Sequence, residues 1–171
     1  MPKFELTEEQ YNEVVRLARK YYLQAHKCMN TKAFLAGCIM IGAALEALLL
    51  AFANCYPEEA LNSKAAPTTK RGKVKPLVRW SLAELLAVAK KEGWLPSRLA
   101  QGEEWDEKKA HIGDYAEALR EARNLVHPIR YVLDFPHKRI TKRYLEALFE
   151  ILEVANDHLV SKIGESFAHY V

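Results

Sequence analysis

Residues 33–53 read AFLAGCIMIGAALEALLLAFA, an apolar run in which Glu46 is the single charged residue. The run is long enough for a bilayer-spanning helix. A carboxylate near its middle would cost roughly 2.5–3.5 kcal/mol on insertion scales, and alanine and glycine contribute little in return. A helix that is apolar all round also suits the centre of a helical bundle. We therefore expect a central bundle helix rather than a membrane span, capped by Asn30 or Thr31 and ending near Cys55.

Two capping boxes predict further helices on either side of this run. Thr7-Glu8-Glu9-Gln10 opens a first helix, in which apolar residues recur at helical spacing as far as Lys27. Ser81-Leu82-Ala83-Glu84 opens a short helix that Gly93 closes.

The second half of the chain predicts two more long helices. One covers about 105–126 and is ended by Pro128, and the other begins near Thr141. No alternating strand pattern is present. The predicted fold class is therefore all-α, an up-down bundle of four long helices plus a short one, in a single domain over residues 1–171.

The positive charge is small overall but unevenly distributed. The chain of 171 residues carries 25 Lys and Arg against 22 Asp and Glu, a net charge of +3, which does not by itself mark a nucleic-acid-binding protein. The loop 60–79, however, contains no acidic residue. Its cations could bind phosphates in a salt-dependent way, or the loop could be a solvated, mobile linker. The candidate binding residues are Lys70, Arg71, Lys73, Lys75 and Arg79.

Three cysteines and the N-terminal residues indicate the compartment. Cys28, Cys38 and Cys55 are odd in number and form no CxxC pair, which argues against a disulfide framework or a zinc site. The N-terminus lacks signal-peptide architecture. We expect reduced thiols, a cytoplasmic location, and neither metal nor cofactor. The motifs of the common nucleotide-binding and hydrolase classes are missing from the sequence.

The groups that could act on a phosphodiester lie in one stretch, REARNLVHP at residues 120–128. Residues three, four or seven apart share one side of a helix, so Arg120, Arg123 and His127 should form a polar stripe. We expect Arg123 nearest the core, and Arg120 and His127 further towards solvent. The apolar stripe beside them comprises Ile112, Tyr115, Leu119, Ala122 and Val126.

Two residues carry specific expectations. Glu46 is costly to bury without a partner, and Arg123 is the natural candidate, although Glu46 could instead be solvated in a surface crevice. An ordinary imidazole titrates near neutral pH, so His127 could move a proton during attack of a ribose 2′-hydroxyl on the adjacent phosphate. The alternative for His127 is a structural interaction with the last carbonyls of its helix.

This stretch resembles the motif of the HEPN superfamily, helical bundles with an Arg, four to six residues and a His near the end of a long helix. Arg120 and His127 are separated by six residues, whereas Arg123-Asn124 supplies the Arg-polar pair that often occurs in the motif. The runs AALEALL at residues 43–49 and WSLAELL at residues 80–86 are also similar to members of this group.

The resemblance implies a fold and a function. In active HEPN members, paired motifs at a homodimer interface form a metal-independent endoribonuclease that leaves cyclic phosphate ends. Other members only bind nucleic acid, or regulate a protein partner as in toxin–antitoxin pairs. By this resemblance His127 would move protons, Arg120 would steady the phosphate and Asn124 would position the RNA, while Arg123 and Glu46 would brace the site. The alternative is a non-catalytic helical protein-interaction module.

Overall fold

A computed structural model describes residues 6–97, 111–134 and 139–168, and in these ranges the chain is helical without a β-sheet. The predicted all-α class is confirmed. The described residues form seven α-helices and a short 3₁₀ turn at Leu77–Arg79. The helices are α1 (Glu8–Asn30), α2 (Phe34–Cys55), α3 (Pro57–Asn62), α4 (Leu82–Lys91), α5 (Ile112–Asn124), α6 (Pro128–Asp134) and α7 (Lys142–Ala168).

Helices α1 and α2 form an antiparallel hairpin. The predicted capping box is present, because the Thr7 side chain accepts a hydrogen bond from the Gln10 backbone and the Gln10 side chain accepts one from Thr7. At one end of the hairpin the Cys55 thiol lies 3.4 Å from the Tyr11 hydroxyl. At the other end Gly37 of α2 approaches α1 closely.

The predicted cap of α2 is wrong. Asn30 is the last residue of α1, and the Thr31 hydroxyl donates back to carbonyls of the same helix. Lys32 then takes a positive φ of 61°, which reverses the chain direction. Ala33 becomes the N-cap of α2 and provides no side-chain hydrogen bond.

Helix α2 is the centre of the packing, as expected from its sequence. It packs against α1, α4, α5 and α7. Its fully buried side chains include Ile41, Leu45 and Leu49. By length and composition α2 could also cross a membrane, and half of its most apolar stretch is buried inside the structure.

Helix α4 matches its sequence signals at both ends. Ser81 and Glu84 form the predicted capping box, and Gly93 lies just beyond the helix with a φ of +70°. A glycine adopts this left-handed conformation without the steric cost that a side chain would add.

Helix α5 differs from the helix predicted over 105–126. Residues 98–110 lie outside the described ranges. In the described part of the chain, α5 begins at Ile112 and ends at Asn124. The next three residues form tight turns, whose amides donate to carbonyls three residues earlier. Pro128 therefore starts α6 instead of ending α5, which suits a residue that has no N–H to donate. Val126, which was placed in the predicted apolar stripe of this helix, is 54% exposed because the helix ends before it.

The crossing of α2 and α5 requires a glycine. A Cβ atom at Gly42 would lie 2.6 Å from the Arg123 Cβ and 2.6 Å from the Leu119 carbonyl oxygen. The two helices therefore approach more closely than side chains normally allow. Glu46 lies one turn beyond Gly42 on α2, so this approach also brings its carboxylate to α5.

We predict that Gly42→Ala destabilises the protein by about 1–3 kcal/mol, because the added methyl group must push the α5 backbone away. Gly164→Ala on α7 is the matched control, since a Cβ there meets no atom within 4 Å. That control should stabilise the helix by about 0.5–1 kcal/mol. Urea unfolding followed by circular dichroism gives both free energies. A Gly42→Ala protein as stable as wild type would contradict the close crossing.

Candidate functional site

The expected pairing of Glu46 with Arg123 is present at the α2–α5 crossing. Arg123 Nη2 lies 2.8 Å from Glu46 Oε2. The pair is only partly buried, with 26% of the Glu46 side chain and 38% of the Arg123 side chain exposed. The guanidinium is thus held in orientation by the carboxylate while part of it faces solvent.

Arg120 belongs to a second ion-pair cluster on α5. Its Nε donates to Glu117 Oε2 at 2.6 Å, and Lys90 Nζ donates to the other Glu117 oxygen at 2.9 Å. Lys90 also lies 3.8 Å from an Asp114 oxygen. Burial opposes ionisation of Glu117, but the hydrogen bonds and charges of Arg120 and Lys90 outweigh it and lower the pKa of this carboxyl.

The two arginines are almost equally exposed, which differs from the expectation that Arg123 lies nearest the core. Arg120 is 33% exposed and Arg123 is 38% exposed. Each sits one helical turn from the other and each contacts one carboxylate. The local positive charge is therefore largely balanced, although a guanidinium has further N–H donors beyond the one used in each contact.

His127 does not continue the arginine stripe on one helix. Asn124 is the last residue of α5, and its carbonyl accepts a hydrogen bond from the His127 backbone at 3.0 Å. The His127 side chain is exposed, in the turn that joins α5 to α6. The prediction of a single polar stripe is wrong in this respect, because the tight turns after Asn124 break the helical period. We call Arg120, Arg123, Asn124 and His127 the α5–α6 junction.

The basic loop contains an ordered hairpin. An isolated antiparallel bridge joins Thr68 and Val74, and Thr69 N donates to the Lys73 carbonyl at 2.7 Å. We call residues 67–75 the basic hairpin. The sequence left open a phosphate-binding loop or a solvated, mobile linker, and residues 67–75 form a hydrogen-bonded hairpin with exposed cations.

The structure divides the predicted cations of this loop into two groups. Lys75 lies 2.5 Å from Glu84 and lowers the pKa of that carboxyl through a hydrogen bond, so it serves to hold the loop onto α4. The other four are exposed, and none of them pairs with a carboxylate in the described part of the chain. They are Lys70, Arg71, Lys73 and Arg79.

Sequence reasoning missed Glu117 and Lys90, and it identified Glu84 only as a helix cap. Glu117 was recognisable from its position three residues before Arg120, a spacing at which opposite charges pair on a helix. Lys90 and Glu84 contact residues on other elements. No local spacing signals those contacts.

An exposed apolar stripe on α6 was also missed. The apolar residues of α6 recur at the spacing of a helix with one apolar side, which normally faces the core. Here these side chains are each more than half exposed. Helix α6 packs extensively against no other described helix. The α6 stripe comprises Ile129, Val132 and Leu133, and Val126 in the turn before α6 is also more than half exposed.

The three cysteines differ in burial, with Cys38 buried and Cys28 and Cys55 partly exposed. All three are free thiols, and burial raises the pKa of Cys38 to about 12. Among the described residues, no group of three or more His, Cys, Asp or Glu side chains is arranged to hold a metal ion.

Comparison with known proteins assigns no relative. No protein-family model matches the chain, and no curated protein or solved structure matches it either.

We predict a moderate coupling energy between Glu46 and Arg123. A fully buried pair would cost about 3 kcal/mol or more when broken, whereas the observed exposure lowers the expected loss for Glu46→Gln to about 1–2 kcal/mol. A double-mutant cycle with Arg123→Gln, measured by urea unfolding, isolates the pair. Strict additivity of the two substitutions would show that the ion pair contributes nothing to stability.

Proposed function

We propose that this chain is an HEPN-like, up-down helical bundle that binds RNA in the cytoplasm, with the α5–α6 junction as the place where a phosphate is contacted. One observation carries the proposal. Arg120 and Arg123 lie one turn apart, each oriented by a carboxylate and each about one third exposed. Guanidiniums that are held in place lose less conformational entropy when they bind a phosphate oxygen.

The same groups suit metal-independent cleavage of RNA. In that reaction the His127 imidazole accepts the proton of a ribose 2′-hydroxyl, whose oxygen then bonds to the adjacent phosphorus. The bond from phosphorus to the 5′ oxygen breaks, and an imidazolium returns a proton to that oxygen. The products are a 2′,3′-cyclic phosphate and a 5′-hydroxyl. Arg120 and Arg123 would balance the negative charge that develops on the phosphate oxygens.

Cleavage is tested with a mixture of structured and single-stranded RNA in EDTA. We predict cleavage by the wild-type protein that leaves cyclic phosphate ends and falls at least about 100-fold in His127→Ala, as expected when a general acid or base is removed. Because His127 is exposed, the variant should keep the wild-type melting temperature.

The outcomes separate catalysis from binding. Equal cleavage by wild type and His127→Ala would exclude His127 as the proton-transfer group. Binding without cleavage by either protein would retain the RNA-binding proposal and remove the enzymatic one. Failure of the wild-type protein to bind any RNA would contradict the proposal itself.

The exposed α6 stripe favours a second candidate function, a helical protein-interaction module. Large exposed apolar patches mark interaction sites on soluble proteins. The occupant we propose is a second copy of this chain, because a two-fold axis would bury the same stripe from both copies. This agrees with the homodimer that the HEPN resemblance implies, and it would bring a second His127 close to the first.

We predict that Leu133→Glu converts a homodimer into a monomer, because the interface would have to bury an unpaired carboxylate. Val160→Glu is the matched control, since Val160 is an exposed aliphatic residue on α7 outside the stripe. Sedimentation equilibrium of wild type and both variants measures the change. A monomeric wild-type protein would contradict the homodimer, and equal dissociation in both variants would contradict the α6 stripe as its interface.

A further inference from the structure

The tip of the basic hairpin carries three exposed cations close together in the sequence, outside the junction. Lys70, Arg71 and Lys73 are exposed, and within the described ranges they form no ion pair. Arg120 and Arg123, by contrast, each contact a carboxylate. The positive charge available to a polyanion is therefore at the hairpin rather than at the junction.

The hairpin presents these cations in a fixed arrangement. Its loop, Lys70-Arg71-Gly72, closes with a hydrogen bond from Gly72 N to the Thr69 carbonyl, and Gly72 has a φ of +74°. A turn followed by a glycine in the left-handed region is a common three-residue hairpin connection. The pairing of Lys75 N with the Pro67 carbonyl at 2.8 Å closes the other end.

The base of the hairpin is attached to the core. The Trp80 indole, itself buried, donates to the Lys75 carbonyl at 3.0 Å. Leu77 between them is fully buried, and Lys75 pairs with Glu84 on α4. The tip can therefore contact a ligand without first ordering a free loop, which removes an entropic cost of binding.

The composition of the hairpin indicates which part of a nucleic acid it can contact. Residues 67–75 read PTTKRGKVK and contain no aromatic residue and no carboxamide. Single-strand binding relies heavily on stacking of bases on aromatic side chains, and Arg71 is the one residue of this hairpin whose flat side chain could stack on a base. In duplex RNA the major groove is too deep and narrow for side chains to read. Lysine, arginine and threonine side chains contact phosphate oxygens, and these contacts carry no sequence information.

We propose that the basic hairpin is a second RNA contact, which binds the phosphate backbone of double-stranded RNA without reading its sequence and supplies most of the affinity. This inference rests on the proposed function, since it takes RNA as the ligand. It goes beyond that function by assigning a separate site, a duplex ligand and a division of roles. The hairpin holds the duplex, and the junction contacts a phosphate elsewhere.

The test compares two triple variants with the same change in charge. The first replaces Lys70, Arg71 and Lys73 by Gln. The control replaces Arg19, Lys20 and Lys27, three exposed cations of α1, by Gln. Fluorescence anisotropy with two 16-base-pair RNA duplexes of unrelated sequence, and with one of their single strands, gives Kd between 50 and 200 mM KCl.

We predict that wild type binds both duplexes with equal Kd and binds the single strand more weakly. The hairpin variant should bind the duplexes about tenfold more weakly or worse, and the slope of log Kd against log salt should fall by about two to three, as expected for three lost phosphate contacts. The control variant should keep at least most of the wild-type slope.

Each of the other possible results would contradict one part of the proposal. Equal losses in the hairpin and control variants would show that net charge alone matters, which contradicts the hairpin site while the proposed RNA binding stands. Tighter binding of the single strand, or a strong preference for one duplex, would contradict backbone recognition of double-stranded RNA. No binding of any RNA by wild type would contradict the proposed function as well.

Discussion

The close crossing of α2 and α5 at Gly42 is the constraint on which the other features depend. Helices that cross over a glycine approach closely enough for residues one turn away to meet. Glu46 and Arg123 meet in this way, at 2.8 Å. Without the close approach, the carboxylate of an otherwise apolar helix would lack this partner, and the arginine would lose the contact that orients it.

A second constraint joins α4 to its neighbours at both ends. Near its start Glu84 accepts hydrogen bonds from Ser81 and pairs with Lys75 of the basic hairpin. Near its end Lys90 pairs with Glu117, which also binds Arg120. The same few carboxylates therefore cap a helix, hold a loop and orient a guanidinium, while the hairpin tip is left without such partners in the described part of the chain.

The sequence was a good guide wherever a local signal decided the structure. Both capping boxes, the glycine after α4 and the apolar centre of α2 follow from side-chain chemistry within one or two turns, and all are present. The Glu46–Arg123 pair was also predictable, because a lone carboxylate in an apolar helix calls for a cation. The end of α5 was not predictable. The residues of the tight turns at 125–127 have no composition that distinguishes them from a helix, and Pro128 can either end one helix or begin the next.

The candidate site was less predictable than the helices for a related reason. Spacing alone placed Arg120, Arg123 and His127 on one stripe, but a stripe exists only while the helical period continues, and α5 ends at Asn124. The hairpin depends on a bridge between Thr68 and Val74 and on the indole of Trp80, contacts between residues several positions apart. Short polar loops contain little that distinguishes such a hairpin from an irregular segment.

The attachment of α4 at both ends also makes it a spacer of defined length. Glu84 and Lys90 are six residues apart, which corresponds to about 9 Å along a helix axis. This distance separates the point where the hairpin is held from the point where the Arg120 cluster is held, and a helix hardly changes its length. The hairpin and the Arg120 cluster are therefore attached to one helix of fixed length, so neither can shift along α4 relative to the other.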